Sequence, residues 1–374
     1  MTDYGEIRRQ LHEHPQTAGC EQYAHDLIVK HLQGLHPDKM YTHVGGYGVI
    51  AVWGGDEEGR AVVFRADTDA LPIGHRCGHD GHTTILMRLA ELVDSRPAGD
   101  RRTVILIWQP AEETGQGARA VMESGILERY DIEAIYGMHN IPGYELGQVV
   151  VCDDTFAAAS TGVVFSLTGR ETHASTPEMG QNPGLAVAEM VQAFDRLNVG
   201  LQEALCDGAG QVALGTFRQS TLICVRLGEP AFGTSAGRAE VMVTLRAFTN
   251  SAMESLLADA DLTARNIAAK YGLGLERALV EPFRATENDA ACVATVRKAA
   301  ADVSLEVCDR AMPMRWSEDF AEYLTKYRGA MFGMGSGTGQ HELHHPDYDF
   351  PDGLVEPAAR LMEAISFCQS SSPK

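Results

Sequence analysis

The stretch Cys77-Gly78-His79-Asp80-Gly81-His82 sets a thiol and an imidazole two residues apart, with a carboxylate between two histidines. Thiolate and imidazole are the commonest zinc ligands. Two donors do not hold an ion, so the others must come from elsewhere. Gln109-Pro110-Ala111-Glu112-Glu113 offers adjacent carboxylates after an apolar run. One of such a pair can ligate a cation while the other takes a proton from an activated water. Met138-His139-Asn140 closes another apolar run. His341-Glu342-Leu343-His344-His345 contains the H-E-x-x-H pattern, which ligates from a helix where residues i and i+4 share a face. Here Gly335, Gly337 and Gly339 precede it and Pro346 follows, so a loop presenting one histidine, preferably His344, is the expectation. His173, before Ala174-Ser175-Thr176-Pro177, can bear a proton or stabilise an oxyanion. Each stretch alone has an ordinary explanation: a solvated acidic loop, a satisfied core histidine, a turn leading into a helix near Asn182. Their co-occurrence turns the reading towards a metal-dependent hydrolytic site.

The elements that must position these residues follow from hydrophobic spacing. Ile7 and Leu11, then Leu27, Ile28 and Leu32, have helical periodicity. Val49–Trp53 and Ala61–Arg65 read as strands around a Gly-Gly-Asp-Glu-Glu-Gly turn, and His82 to about Ser95 as a helix. Val104–Trp108 and Ile132–Met138 read as buried strands that stop at Gln109-Pro110 and His139. Strands ending at polar residues suit an α/β fold with a mixed sheet flanked by helices and a site at the strand ends. The middle of the chain reads differently: a strand at Val163–Leu167, a helix at Asn182–Leu197, strands at Thr221–Leu227 and Ala239–Phe248, a helix at Ala252–Tyr271 and a strand at Leu273–Leu279. Val212–Phe217 is a candidate for further pairing. The order β-α-β-β-α-β is that of a ferredoxin-like α+β unit. It looks inserted, because a helix near Asp289–Ala301, a strand near Ala330–Met334 and a helix from Val355 follow it. The expected division is a discontinuous catalytic domain, 1–159 and 283–374, around an inserted domain, 160–282. The Ser-Ser-Ser-Pro-Lys tail is expected to be disordered.

With 374 residues, two domains are the prior. A net charge of −20 argues against nucleic acid or an anionic membrane as the main partner. The eight cysteines, at 20, 77, 152, 206, 224, 292, 308 and 368, show no C-x-x-C spacing. The polar start MTDYGEIRRQLHEHPQ has no signal-peptide character. Free thiols in a reducing cytoplasm are the simplest expectation. The apolar runs are strand-sized, too short to span a bilayer.

Several further motifs fall in order along the chain. They are Arg8-Arg9-Gln10-Leu11-His12-Glu13-His14-Pro15, Arg65-Ala66-Asp67-Thr68-Asp69-Ala70-Leu71-Pro72, Ser317-Glu318-Asp319-Phe320 and Leu343–Asp352. With the stretches above, they make the chain resemble the co-catalytic metallo-aminohydrolases of clan MH, which include hippurate hydrolase, auxin-conjugate amidohydrolases and N-acyl-amino-acid deacetylases. The resemblance implies a zinc-peptidase-like catalytic domain with two divalent ions per chain. Cys77 would bridge them, with His79, Glu113, His139 and His344 as the other ligands. Glu112 would be the general base and Asp69 an orienting carboxylate behind the site. His173 would come from the inserted lid, which mediates dimerisation in several relatives. Zinc or manganese is favoured, and nickel and cobalt also fit mixed S/N/O donors.

Two departures stand out. Only Ile73-Gly74-His75-Arg76 separates Pro72 from Cys77, where relatives carry a longer segment. Gly233-Thr234-Ser235-Ala236-Gly237 replaces an Asn-Val-Ile-Pro-Asp-like stretch. Arg246 and Asn182 remain candidate substrate-binding residues. The expected activity is hydrolysis of the amide bond of N-acyl amino acids or similar small conjugates by a homodimer. A metallo-dipeptidase or carboxypeptidase is the alternative, and a non-catalytic metal-binding protein a more distant one.

Overall fold

The computed structural model describes residues 2–54, 60–97, 102–200 and 214–368. The chain divides into two compact units. One holds Met1–Phe156, Thr286–Arg310 and Glu318–Lys374; the other holds Ala157–Ala285 and Ala311–Ser317. The short segment Ala311–Ser317, expected with the catalytic residues, therefore groups with the inserted unit: the Ala158 amide donates to the Met314 and Trp316 carbonyls, at 3.0 Å each.

The first unit begins with helices α1 (Tyr4–Glu13) and α2 (Gln22–Leu32) and strands β1 (Lys39–Val44), β2 (Gly48–Trp53) and β3 (Ala61–Asp67). Then come α3 (His79–Asp94), β4 (Thr103–Gln109), α4 (Gly117–Glu123), β5 (Ile132–Pro142) and β6 (Val149–Val151). The inserted unit comprises β7 (Ala159–Thr168), β8 (Thr172–His173), α5 (Gly184–Asp195), β9 (Arg218–Leu227), β10 (Thr234–Ser235), β11 (Arg238–Ala247), α6 (Asn250–Lys270) and β12 (Gly274–Phe283). The chain returns through α7 (Ala290–Asp302), β13 (Val307–Asp309), β14 (Gly329–Gly337) and α8 (Val355–Phe367).

In the first unit the described strands form one mixed sheet in the order β1-β2-β4-β3-β5-β14-β6-β13. Its central strands β4, β3, β5 and β14 run parallel. β4 is rich in Val and Ile, β3 is mostly apolar and β14 is built of Gly, Met, Ala and Phe; all three are buried along nearly their whole length, as parallel strands covered on both faces must be. Val62, Phe64 and Ala66 of β3 join Val104, Leu106 and Trp108 of β4 in a core with α2, α3, α7 and α8. Residues of opposite parity, Arg65 and Asp67, point to the other face of the sheet. There α4 packs with a short 3₁₀ segment, Asp319–Thr325.

In the inserted unit the four long described strands pair antiparallel in the order β12-β7-β11-β9, the ferredoxin-like arrangement, and the short β8 and β10 pair with each other. One face is apolar: Val163, Phe165 and Leu167 of β7 and Val241, Val243 and Leu245 of β11 share a core with α5 and α6.

Several local expectations shift. Helix α3 starts at His79, so that residue belongs to its first turn and not to a preceding loop. Strand β5 runs past Met138 to Pro142, with His139 and Asn140 inside it, because β14 continues to pair there. Leu214–Thr216 is a 3₁₀ turn, and Val212 lies outside the described residues. The C-terminal tail, Cys206 and most of the turn after Trp53 also lie outside them. The stretch 341–345 is non-helical, as its glycines and proline suggest.

Candidate metal centre

Because β3, β4, β5 and β14 are parallel, their C-terminal ends open on one edge of the sheet. Asp67, Gln109 and His139 stand at that edge. Cys77 and His79 reach it through a sharp turn into α3. Gly78 has φ +97°, and a Cβ there would lie 2.4 Å from Asn140 Oδ1, so the backbone approach needs glycine.

Potential ligand atoms converge in two sets that share one sulfur. Cys77, His79 and His139 have donor atoms within 4.8 Å of one another, and so do Cys77, Glu113 and His344. Cys77 Sγ lies 3.5 Å from His139 Nε2, and His79 Nε2 lies 3.9 Å from Glu113 Oε1. His79 Nδ1 lies 2.9 Å from the Asp69 carbonyl and His139 Nδ1 2.8 Å from the Asn140 carbonyl. A carbonyl accepts, so each Nδ1 carries a proton and each Nε2 faces the cluster; against its burial, the negative charges of Asp67 and Cys77 hold His79 well above its ordinary value. His344 adopts φ +67°, and its amide donates to the Arg76 carbonyl at 2.8 Å. Arg76 Nη1 in turn donates to the Tyr348 carbonyl at 2.6 Å. The stretch before Cys77 thus braces the loop that carries His344.

The two carboxylates after β4 are fixed from behind. Asp69 is fully buried; its Oδ1 accepts the Glu112 amide and its Oδ2 the Glu113 amide, both at 3.0 Å. Buried Glu21 accepts the amide of Ala111, which has φ +56°. Arg65 binds the layer below: Nη1 to Asp67 at 2.6 Å and Glu318 at 3.3 Å, Nη2 to Asp319 at 2.6 Å, and Nε to Gln109 at 2.9 Å. His82 Nδ1 meets Asp67 at 2.6 Å. Asp80 turns away from the cluster and accepts from His12 at 2.7 Å and Arg8 at 3.3 Å, which ties the turn to α1.

The electrostatics call for positive charge. Asp67, Asp69, Glu112, Glu318 and Asp319 are all buried, and Arg65 is the cation acting on all of them but Asp69. Burial pushes Glu112 well above the usual carboxylate range, and the charges of Glu318, Asp319 and Glu113 add to it. Burial likewise raises Glu113 to about 7 and Glu318 to about 8. His139 is held well below its ordinary value by burial and by His82. Burial and His79 also lower His344. Both are therefore neutral, the form that ligates. Among the described residues, the buried His79 Nε2 and Glu113 Oε1 have no hydrogen-bond partner. Orphaned buried donors and acceptors are costly. A thiol, three imidazoles and an excess of buried carboxylates fit divalent metal ions.

The remaining sequence candidates lie in the inserted unit. His173 is exposed in β8, and its Nδ1 accepts from the Ser175 amide at 3.1 Å and lies 2.7 Å from Ser175 Oγ, which leaves the proton on Nε2. Asn182 is exposed; its Oδ1 accepts the Gly184 amide at 2.8 Å and its Nδ2 donates to Ser235 at 2.9 Å. Arg246 Nη1 donates to the Arg315 carbonyl at 2.8 Å and to Ser317 Oγ at 3.1 Å. This is a structural use of the guanidinium beside any ligand role.

Sequence reasoning gave Asp80 and His82 supporting roles around the Cys77 turn, and assigned no role to Arg65, Asp67, Glu21, Glu318 or Asp319. For Arg65 and Asp67 a signal existed, because two-residue spacing puts 65 and 67 on one face of a strand that ends at the site. Glu318 and Asp319 are 253 and 254 positions from Arg65, and spacing carries no information at that range.

Comparison with known proteins agrees with this architecture. Residues 63–366 match the model of peptidase family M20/M25/M40. An uncharacterized hydrolase of Staphylococcus haemolyticus is 30% identical over 366 residues, covering 90% of this chain and 91% of its own. N-acetylcysteine deacetylase of Bacillus subtilis is 28% identical over 378 residues, covering 96% and 95%. The solved YXEP protein of Bacillus subtilis, a dinuclear metal-binding peptidase of the M20 family, superposes with a TM-score of 0.81 at 26% identity, over 97% of this chain and 96% of that one. With the match spanning both units and the donor cluster, the chain is a hydrolase of peptidase family M20/M25/M40.

Proposed function

We propose that this hydrolase cleaves the amide bond of N-acyl amino acids or similar small conjugates, with two divalent ions per chain, zinc or manganese by preference. The observation that carries the reading is the pair of donor sets sharing Cys77 Sγ, next to a second carboxylate, Glu112, in its own set with His79 and Glu113. Cys77 would bridge, and His79, His139, Glu113 and His344 would complete the coordination. A pair of such ions supplies Lewis acidity, polarising the scissile carbonyl and acidifying water.

The chain's own residues do the rest. Glu112 takes the proton of the attacking water as oxygen adds to the carbonyl carbon. It returns that proton to the amine nitrogen as the C–N bond breaks, releasing a carboxylic acid and an amine. Asp69 positions Glu112 and Glu113 through their amides. His173, whose Nε2 bears the proton, is the proposed donor to the developing oxyanion. Arg246 and Asn182 are retained as candidate substrate contacts. The N-acetylcysteine deacetylase at 28% identity supports an acylated amino acid over a dipeptide.

A cytoplasmic homodimer formed through the inserted unit completes the reading. No described helix is long and apolar enough to cross a membrane, and the described cysteines are free. Edge strand β9 exposes Leu222, Ile223, Val225 and Leu227, a surface suited to pairing with a second copy.

Glu112→Gln tests the core of the proposal on a panel of N-acetyl amino acids, N-benzoyl amino acids and dipeptides. The variant should keep both ions by elemental analysis and lose about 10²–10⁴-fold in turnover. Full turnover with the metal still bound would remove Glu112 as the base. Preference for dipeptides across the panel would favour the peptidase alternative.

A further inference from the structure

We propose, on the dinuclear reading of the site, that Arg8 is a positioning residue for one of the two ions: it locks the loop that carries His344 onto the turn that carries Cys77 and His79. Arg8 lies in α1, in a motif that the proposed chemistry leaves unused, and it is 4% exposed. Its Nη1 donates to Asp80 at 3.3 Å and to Asp349 at 2.6 Å, and its Nε donates to Asp352 at 2.8 Å. Asp80 follows His79 in the first turn of α3, and Asp349 and Asp352 follow His344 on its loop. The forked guanidinium thus joins two segments that each bring metal donors, far apart in the chain.

The effect of losing Arg8 follows from charge and packing. Asp80 and Asp349 converge on one nitrogen, so without Arg8 two carboxylates face each other and repel. His12 Nδ1 lies 2.7 Å from Asp80 but 3.8 Å from Asp349, so it serves the first and leaves the second. The two sides do not yield equally. Asp80 is fully buried, and its helix carries Ile85, Leu86 and Leu89 into the core. The Asp349 side chain is 59% exposed, on a loop where His344 is exposed as well. The loop therefore gives way and α3 stays. His344 withdraws from Cys77 and Glu113, while Cys77, His79 and His139 keep their places. Arg76 still holds the His344 amide and the Tyr348 carbonyl, and the Phe350 ring still packs on Gly81, where a Cβ would lie 2.3 Å from it. One ion is weakened and the segment does not unfold.

The test uses the full chain, stripped with a chelator and titrated with Co²⁺ by calorimetry and visible absorption. The native chain should take up two Co²⁺. Arg8→Met should bind one with native affinity and the other about 10–100-fold more weakly. His344→Ala identifies that second ion, and adding Arg8→Met to it should weaken the ion little further, because both changes act through one ligand. Arg9→Met is the control: exposed Arg9 meets Asp352 at 2.5 Å without bridging Asp80 and Asp349, so both ions should bind as in the native chain. Should Arg8→Met not fold, Asp349→Lys changes an exposed side chain, sets a cation against Arg8 and should weaken the same ion. Native affinity for both ions in the variant that folds, equal weakening of both, weakening of the ion that His344→Ala spares, or full additivity with His344→Ala would each overturn the role of Arg8 and leave the dinuclear reading standing. A native chain that takes up no second Co²⁺ would remove the dinuclear reading, and the role of Arg8 with it.

Discussion

Asp69→Asn is the substitution that isolates how the fold holds the adjacent carboxylates. The side chain is fully buried, and each of its oxygens accepts one amide, from Glu112 and from Glu113, at 3.0 Å. Asparagine has nearly the same shape but one acceptor oxygen. Its NH₂ group would face one of the two amides as donor against donor. One charge-assisted hydrogen bond is lost, the other becomes neutral, and one amide is left buried without a partner. Losing a bond to a charged group costs about 1.5–3 kcal/mol, and an orphaned buried group about 1–3 kcal/mol. These two descriptions overlap, so about 2–4 kcal/mol is expected for the metal-loaded chain. The stripped chain should lose less, since Asp69 is one of the charges that push Glu113 upward and neutralising it relieves that repulsion. Displacing Glu113 should also weaken metal binding by about 10–100-fold, the range typical for groups that orient ligands. Urea unfolding with and without metal, and competition against a chromophoric chelator, read the two effects. A loss below about 0.5 kcal/mol in the loaded chain, together with native metal affinity, would refute this account of Asp69.

Arg65→Met should destabilise the chain by about 3–5 kcal/mol, because it leaves Asp67, Glu318 and Asp319 buried without their guanidinium. Urea unfolding measures it, and Arg65→Lys should recover little, since an ammonium cannot reproduce the fork to Asp67, Asp319 and Gln109. Stability should also depend on pH in a metal-dependent way. Burial raises Glu113 to about 7, Glu318 to about 8 and Asp319 to about 6, against ordinary unfolded values near 4. The folded, metal-free chain thus holds more protons than the unfolded chain between about pH 4.5 and 8, so this stabilisation is lost as pH rises through that window. The difference in urea midpoint between metal-loaded and chelator-treated protein should widen from pH 5.5 to 8, and a constant difference would count against it.

How much of this was legible beforehand can be followed residue by residue. The apolar runs Val104–Trp108 and Ile132–Met138 identified buried strands, and the β-α-β-β-α-β order identified the ferredoxin-like unit, because burial writes itself into local periodicity. The types and order of Cys77, His79, Glu112, Glu113, His139 and His344 pointed to metal chemistry, because few side chains can supply it. Glycines and Pro346 correctly argued against a helix at His341–His345. Local signals did not fix where β5 ends, since its last residues are held by β14, nor where α3 begins, since Gly78 turns the chain against Asn140. They also gave no account of the layer beneath the site. Arg65 meets Glu318 and Asp319 only because parallel strands bring their C-terminal ends to one edge, with the 3₁₀ segment behind them. The sequence by itself determined which chemistry the chain carries. Tertiary structure alone decided that two donor sets share one sulfur, that Asp69 grips two amides, and that His344 parts from its neighbouring histidines. The first two are relations between residues tens to hundreds of positions apart, and the third follows from the hold of Arg76 on the His344 amide; packing and strand direction set them, not spacing.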